Sequence, residues 1–258
     1  MRSPSAGSPG VRALLFDLDG TLVDTAQDLT IAANAVRRAQ GLSSLSVDRV
    51  AACVGKGAEV LVRRVLADEP GGSLALDAPL PALSPERLTA AMQDFASAYA
   101  RCNGEAARVY PGVVRGLERL RAAGMSMAVV TNKPQGFSEV LLERMGLAGY
   151  FFFVQGGDVL AHRKPRPEPL WHALERLGAL PGQACMLGDS RNDAQAARAA
   201  GVRIFLVPYG YNEGLDPRCE DCDGVVDDVD AFASLILAQP GATDEACGSD
   251  PAQESRSD

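Results

Sequence analysis

The chain has 258 residues, 47% hydrophobic and 22% charged, enough to bury a full core as one large domain or as a domain with an insert. Its net charge is −8 with no basic cluster, which argues against nucleic acid as a partner and favours small-molecule chemistry. No stretch reaches the roughly 20 apolar residues of a membrane span, and Asp17 and Asp19 interrupt the first apolar run, so neither a membrane partner nor a signal peptide is expected.

Residues 1–10 are small and polar and read as a disordered N-terminus. Residues 11–16 read as a buried strand that opens into Asp17-Leu18-Asp19-Gly20-Thr21. Side chains alternate along a strand, so Asp17 and Asp19 leave it on one side, and Gly20 permits a sharp turn. Two close carboxylates repel unless a shared proton or a cation relieves them, and Mg²⁺ with its preference for hard oxygen ligands does so. A strand that merely ends in a polar turn would also carry these residues. Helical spacing over 29–39 stops at Gly41. The stretch 24–107 is mostly helical around a Pro/Gly-rich passage (Pro70-Gly71-Gly72, Pro79, Pro81, Pro85) and reads as an inserted helical cap; helices packed directly on a sheet would give the same pattern.

From residue 113 the pattern becomes regular: a helix over 113–123 closing at Gly124, a strand over 126–130, a helix over 137–145 and a strand over 151–154. A helix over 169–177, a strand over 184–187, a helix over 193–200 stopping at Gly201 and a strand over 202–207 follow. Such alternation predicts an α/β fold, a Rossmann-like parallel sheet with helices on both faces, built from residues 11–23 and 108–238. Residues 239–258 hold five acids against Arg256, half of the net charge, and read as a disordered acidic tail.

Ligands in such sheets bind beyond the carboxyl ends of the strands. Three polar clusters meet there: Asp17 with Asp19, Thr131-Asn132-Lys133, and Gly188-Asp189-Ser190-Arg191-Asn192-Asp193. Singly, Thr131 suits a turn, Lys164 a solvated basic loop, and Asp189 with Asp193 a helix start. Jointly they predict a site. The six cysteines lack a framework spacing and suit reduced thiols in the cytoplasm, and Cys219-Glu220-Asp221-Cys222 offers two of the four ligands of structural zinc and reads as a loop coincidence.

Four stretches in order carry a resemblance: Asp17 to Thr21, Thr131-Asn132, Lys164-Pro165-Arg166-Pro167-Glu168-Pro169, and Gly188-Asp189 through Asp193. They resemble the motifs of the haloacid dehalogenase-like hydrolases, over nearly everything except the two tails. Val54-Gly55-Lys56-Gly57-Ala58-Glu59 and Tyr209-Gly210-Tyr211-Asn212 narrow the resemblance to the phosphoglycolate phosphatase group. The resemblance implies an Mg²⁺-dependent phosphomonoester hydrolase in which Asp17 is the nucleophile that becomes an aspartyl phosphate and Asp19 is the general acid and then base. It implies that Mg²⁺ is held by the Asp17 carboxylate, the Asp19 backbone carbonyl and Asp189, that Thr131, Asn132 and Lys164 bind substrate, and that Asp193 orients Lys164 or a water. The implied substrate is 2-phosphoglycolate, whose carboxylate calls for a cation, with Lys56 the first candidate and Arg63, Arg64 and Lys133 the others. Alternatives are another small phosphomonoester or sugar phosphate, or phosphotransfer like that of a β-phosphoglucomutase. The chain is expected to act as a monomer or small homo-oligomer.

Overall fold

The structure, a computed structural model, describes residues 10–68, 80 and 82–238. The two expected disordered ends, apart from Gly10, and most of the Pro/Gly-rich passage lie outside the described residues.

Six parallel strands form one sheet, in the order β5 (Val154–Gln155), β4 (Ser126–Val130), β1 (Ala13–Phe16), β6 (Ala184–Gly188), β7 (Arg203–Leu206) and β8 (Gly224–Val225). Strand β1 is central because it is apolar on both faces. Leu14 and Phe16 pack with Val113, Leu117 and Leu120 of α5 (Val113–Ala122) and with Phe232 and Ile236 of α9 (Val229–Leu237). Ala13 and Leu15 face the other way, onto Leu170 and Leu174 of α7 (Glu168–Leu177) and the alanine stripe of α8 (Arg191–Ala200). A strand buried on both sides needs no polar alternation, which is how a parallel sheet reads. The strand order reverses at β1, so the ends of β1, β4 and β6 open one crevice. Among the described residues, no helix is long and apolar enough to cross a membrane.

The predicted strand over 151–154 is shifted: its ladder covers Val154–Gln155, because a 3-10 turn over Ala148–Tyr150 ends at Phe151 and Phe152 turns outward, 74% exposed. The final β8–α9 unit was not anticipated, since two ladder residues and a nine-residue helix give little periodicity.

Between β2 (Val23–Asp24) and β3 (Arg108–Val109) stand α1 (Ala26–Ala39), α2 (Val47–Ala51), α3 (Ala58–Ala67) and α4 (Pro85–Cys102). Leu29, Ala32, Ala33 and Val36 form one stripe of α1 and join Val50, Leu61, Val65, Phe95 and Tyr99 in a core of their own. Helix α4 starts where Ser84 Oγ accepts from the Arg87 amide at 3.3 Å, with Pro85 in its first turn, where no amide hydrogen is required. Entry and exit of this segment lie side by side because β2 and β3 pair antiparallel. The fully buried Asp28 fastens them further: its carboxylate accepts from the amides of Gly104, Ala106 and Ala107 at 2.8, 2.9 and 3.2 Å. Three N–H donors satisfy a carboxylate that would otherwise be costly to bury.

Candidate active site

Asp17 follows β1, and its amide continues the ladder by donating to Leu187 O at 3.0 Å. Its Oδ1 accepts from the Leu18 amide at 2.7 Å and lies 2.9 Å from Lys164 Nζ. Lys164 uses its remaining donors on Val130 O at 2.7 Å and Asp193 Oδ1 at 2.6 Å. Its ammonium is thus spent on three acceptors, and despite burial, which works against the charge, Asp17 and Asp193 push its pKa up to about 12.

Asp189 follows β6 and reaches the crevice only because two glycines let it. A Cβ on Gly20, which has φ +86°, would lie 2.2 Å from Asp189 Oδ2, and one on Gly210 would lie 2.2 Å from Asp189 Cβ. Thr21 Oγ1 donates to Asp189 Oδ1 at 3.2 Å, and the Tyr211 amide donates to Oδ2.

Asp17, Asp189 and Asp193 each bring a carboxylate oxygen within 4.8 Å of the others, all buried. Both Asp193 oxygens are committed: Oδ1 to Lys164, and Oδ2 to Ser190 Oγ at 2.7 Å and the Ser190 amide at 3.1 Å. Asp193 therefore orients Lys164, while Asp17 and Asp189 remain for an ion. Three carboxylates against one ammonium leave an excess of two negative charges. Burial raises the Asp17 pKa to about 6, with Lys164 opposing and Asp193 reinforcing, and burial with Asp193 and Asp17 raises Asp189 well above its ordinary value. The charge excess and the all-oxygen donor set fit a hard divalent cation such as Mg²⁺.

Asp19 occupies a different position. Its Oδ1 accepts from Thr25 Oγ1 at 2.8 Å and from Lys133 Nζ at 2.9 Å, and Oδ2 lies 3.2 Å from the same nitrogen. Lys133 Nζ also donates to Tyr99 Oη of α4 at 2.6 Å and sits 4.6 Å from the centre of that ring. Burial opposes the Lys133 charge, but Asp19 and Tyr99 outweigh it and raise its pKa. Thr25 precedes α1 without capping it; the first amides of that segment, Thr25 and Ala26, donate instead to Tyr211 Oη at 2.8 and 2.9 Å.

Thr131, after β4, receives a 3.2 Å hydrogen bond from the Lys133 amide on its Oγ1. Asn132 spends Nδ2 on Gly55 O at 2.8 Å and Lys164 O at 2.9 Å, while its buried Oδ1 has no protein partner. Lys56, first among the cations expected to meet a substrate carboxylate, lies 3.0 Å from Glu213, which also pairs with Arg64 at 2.7 Å. Glu213 sits at φ +52° on the loop after β7, so these contacts tie the helical segment to the sheet edge. Sequence reasoning missed Glu213, Tyr211 and Tyr99 as site-forming groups: Tyr99 lies on the apolar face of α4, where it reads as core, and the other two lie in an irregular loop.

The crevice encloses about 50 Å³. Asp17, Asp19, Thr131, Asn132, Lys133 and Asp189 line its floor, and Val54, Leu61, Phe95, Tyr99 and Phe137 are among its apolar walls.

A carboxylate at a strand end, a buried lysine against it and a second carboxylate beside it lie at one edge of a parallel sheet, and the comparisons give this arrangement its class. The pattern of the haloacid dehalogenase-like hydrolases matches residues 14–207, and the chain belongs to that family. It is 42% identical over 226 residues to the phosphoglycolate phosphatase of Nitrosospira multiformis, covering 88% of this chain and 96% of that protein. Phosphoglycolate phosphatase 1 of Pseudomonas aeruginosa is also 42% identical, over 84% of this chain and 76% of its own length. The crystal structure of a predicted phosphoglycolate phosphatase from Haemophilus somnus superposes with a TM-score of 0.79 at 31% identity, covering 87% of this chain and 97% of that one. The protein is accordingly an enzyme, a phosphatase.

Proposed function

We propose that the protein is an Mg²⁺-dependent phosphomonoester hydrolase that works through an aspartyl phosphate on Asp17 and converts 2-phosphoglycolate to glycolate and phosphate. One observation carries the mechanism: the Leu18 amide and Lys164 both address Oδ1 of Asp17, a residue that lines the crevice, which leaves Oδ2 for attack. In the first step Asp17 Oδ2 bonds to phosphorus, the bond from phosphorus to the ester oxygen breaks, and the Asp19 carboxyl gives its proton to the departing oxygen. In the second, Asp19, now a carboxylate, takes a proton from a water whose oxygen bonds to phosphorus, and the acyl phosphate bond breaks to restore Asp17. Splitting the displacement in two replaces one hard step with two easier ones.

Asp17, Asp189 and the Asp19 backbone carbonyl hold Mg²⁺, which when bound screens the nucleophile from the phosphoryl group and stabilises its charge. Thr131 donates its hydroxyl to a phosphoryl oxygen, and Lys164 fixes Asp17 and supplies positive potential to the same region. Asn132 reads the phosphoryl group less directly, by setting the backbone of Gly55 and Lys164. Residues 24–107 act as a cap whose apolar walls exclude water from the acyl phosphate, and residues 11–23 and 108–238 form the catalytic core. We place the reaction in the cytoplasm, where the buried thiols of Cys53, Cys102 and Cys185 stay reduced.

The test is phosphate release from 2-phosphoglycolate and a panel of small phosphomonoesters and sugar phosphates. The expected result is a peak in kcat/KM at 2-phosphoglycolate that EDTA removes and Mg²⁺ restores. A metal-dependent peak at another ester keeps the chemistry and discards the substrate. Transfer of phosphate back to a sugar phosphate would favour the mutase-like reading, and activity indifferent to EDTA would remove the metal.

The same ion is expected to stabilise the fold in a pH-dependent way. The folded pKa of Asp17 lies above its ordinary value of 3.8, at about 6, so its contribution to stability is fully present below about pH 4 and is lost as pH rises through 6. Metal binding competes with that proton, so its gain is largest above pH 6. At about 100 times its Kd, Mg²⁺ contributes about 2.7 kcal/mol, a Tm rise of roughly 5–10 °C at pH 7.5. Calorimetry at pH 7.5 and pH 5 checks this: the rise should shrink at the lower pH, and an equal rise at both would contradict it.

A further inference from the structure

Among the described residues lining the crevice, Lys133 is the one cation, and in this structure its charge is held by the enzyme's own Asp19. The other cations expected to face a substrate carboxylate are engaged elsewhere, Lys56 and Arg64 on Glu213 and Arg63 on Glu59 at 2.8 Å. Lys133 is also built in rather than loosely attached: its side chain is 3% exposed, and Tyr99 fixes it from the helical segment.

We propose that Lys133 is the specificity-determining residue of the site, reading a carboxylate one carbon away from the ester oxygen, and that the incoming carboxylate takes over the ammonium from Asp19 and frees Asp19 to turn to that oxygen. The proposal rests on the function proposed above. It follows from distances. In an α-phosphoxy acid the leaving oxygen and the nearer carboxylate oxygen lie about 3 Å apart, two to three bond lengths through the shared carbon. Asp19 serves the leaving oxygen, and Asp19 Oδ1 already lies 2.9 Å from Lys133 Nζ. An ester oxygen within hydrogen-bond reach of Asp19 therefore brings the acid's carboxylate within reach of Lys133. An ammonium has three donors, and with one kept on Tyr99 the others pass from one carboxylate to the other, so that the buried ammonium is never without an anion while Asp19 is released from it. An ester lacking the carboxylate offers no such exchange and leaves Asp19 bound to Lys133. Recognition and catalysis are thereby coupled: binding energy from a non-reacting group is used to complete the reacting constellation.

The experiment compares wild type, Lys133→Met and Lys133→Gln on 2-phosphoglycolate and on 2-hydroxyethyl phosphate, a neutral ester of the same length, with Mg²⁺ present. Wild type should prefer 2-phosphoglycolate. The substitutions should lower the ratio of the two kcat/KM values by about 10- to 100-fold, the scale of one charge-assisted hydrogen bond. Most of that loss should appear in KM for 2-phosphoglycolate. Lys133→Glu should shift preference towards 2-aminoethyl phosphate, which carries a cation in place of the carboxylate. Lys133→Gln keeps a donor to Asp19 and Tyr99 and covers the case in which Lys133→Met fails to fold. Equal losses on both esters in Lys133→Gln would mean that Lys133 only props Asp19 and would overturn the proposal. Wild-type protein without preference for 2-phosphoglycolate would remove the substrate assignment together with this proposal, whereas a wild-type preference that survives Lys133→Gln would overturn the proposal alone.

Discussion

Asp17→Asn should cut phosphate release by at least about 10⁴-fold while leaving the fold intact, because only the proposed nucleophile is lost. An asparagine side chain matches aspartate in shape, and its amide oxygen still accepts from the Leu18 amide and Lys164, the two partners of Asp17 Oδ1. Its other atom is an amide nitrogen, with no lone pair available to attack phosphorus. The substitution also lowers the excess of negative charge among Asp17, Asp189 and Asp193 from two to one. In EDTA at pH 7.5, where burial of the ionised Asp17 is most costly, the variant should therefore melt at a higher temperature than wild type. Both signs matter: a merely structural Asp17 would lose stability and retain activity. Steady-state phosphate release and calorimetry on the same preparation, checked by mass spectrometry for deamidation, decide the matter. Turnover near the wild-type rate in deamidation-free protein would sink the nucleophile assignment.

The sheet was legible because its strands are buried on both faces and need no subtle signal. The runs at 126–130 and 184–187 are short, apolar and closed by polar residues, and they are found as β4 and β6. The motif residues were legible for a related reason. Each of these residues has an ordinary use taken singly, but their joint pattern predicts a site, and Asp17, Asp189 and Lys164 do converge in one buried cluster. What could not be read was the direction in which long side chains turn. Asp17 and Asp19 alternate onto one side of an ideal strand, yet the turn at Gly20 sends the Asp19 carboxylate to Thr25 and Lys133. Lys56, set between glycines in the bend before α3, looked free to meet a substrate, but its partner Glu213 lies 157 residues away in the chain. Such pairings depend on how two separate cores meet, and no local periodicity encodes that. Asp28 illustrates the same limit: in sequence it is an acid in the first turn of a helix, a common dipole-favoured place, while in the fold it binds three amides of the turn that leads into β3.

Lys164→Met should lower both activity and stability. Lys164 has a side chain 2% exposed and stands between Asp17 at 2.9 Å and Asp193 at 2.6 Å, so its removal leaves two buried carboxylates without their counter-charge. Breaking a buried pair from one side costs about 3–5 kcal/mol, a Tm loss of roughly 10 °C in a domain of this size. On activity the effect should reach at least about 10³-fold, since Asp17 loses the group that holds Oδ1 and so aims Oδ2, and the phosphoryl group loses nearby positive potential. The two losses can be separated by combining the change with Asp17→Asn. If the cost arises from uncompensated charge, the pair should be coupled: removing the Asp17 charge should return part of the stability lost with Lys164, by about 0.5–3 kcal/mol beyond additivity. Saturating Mg²⁺ should do likewise in the single variant, because a divalent cation compensates the carboxylates that Lys164 no longer reaches. Strict additivity, with no rescue by the metal, would mean that Lys164 stabilises the fold through its packing and its hydrogen bond to Val130 O rather than through its charge.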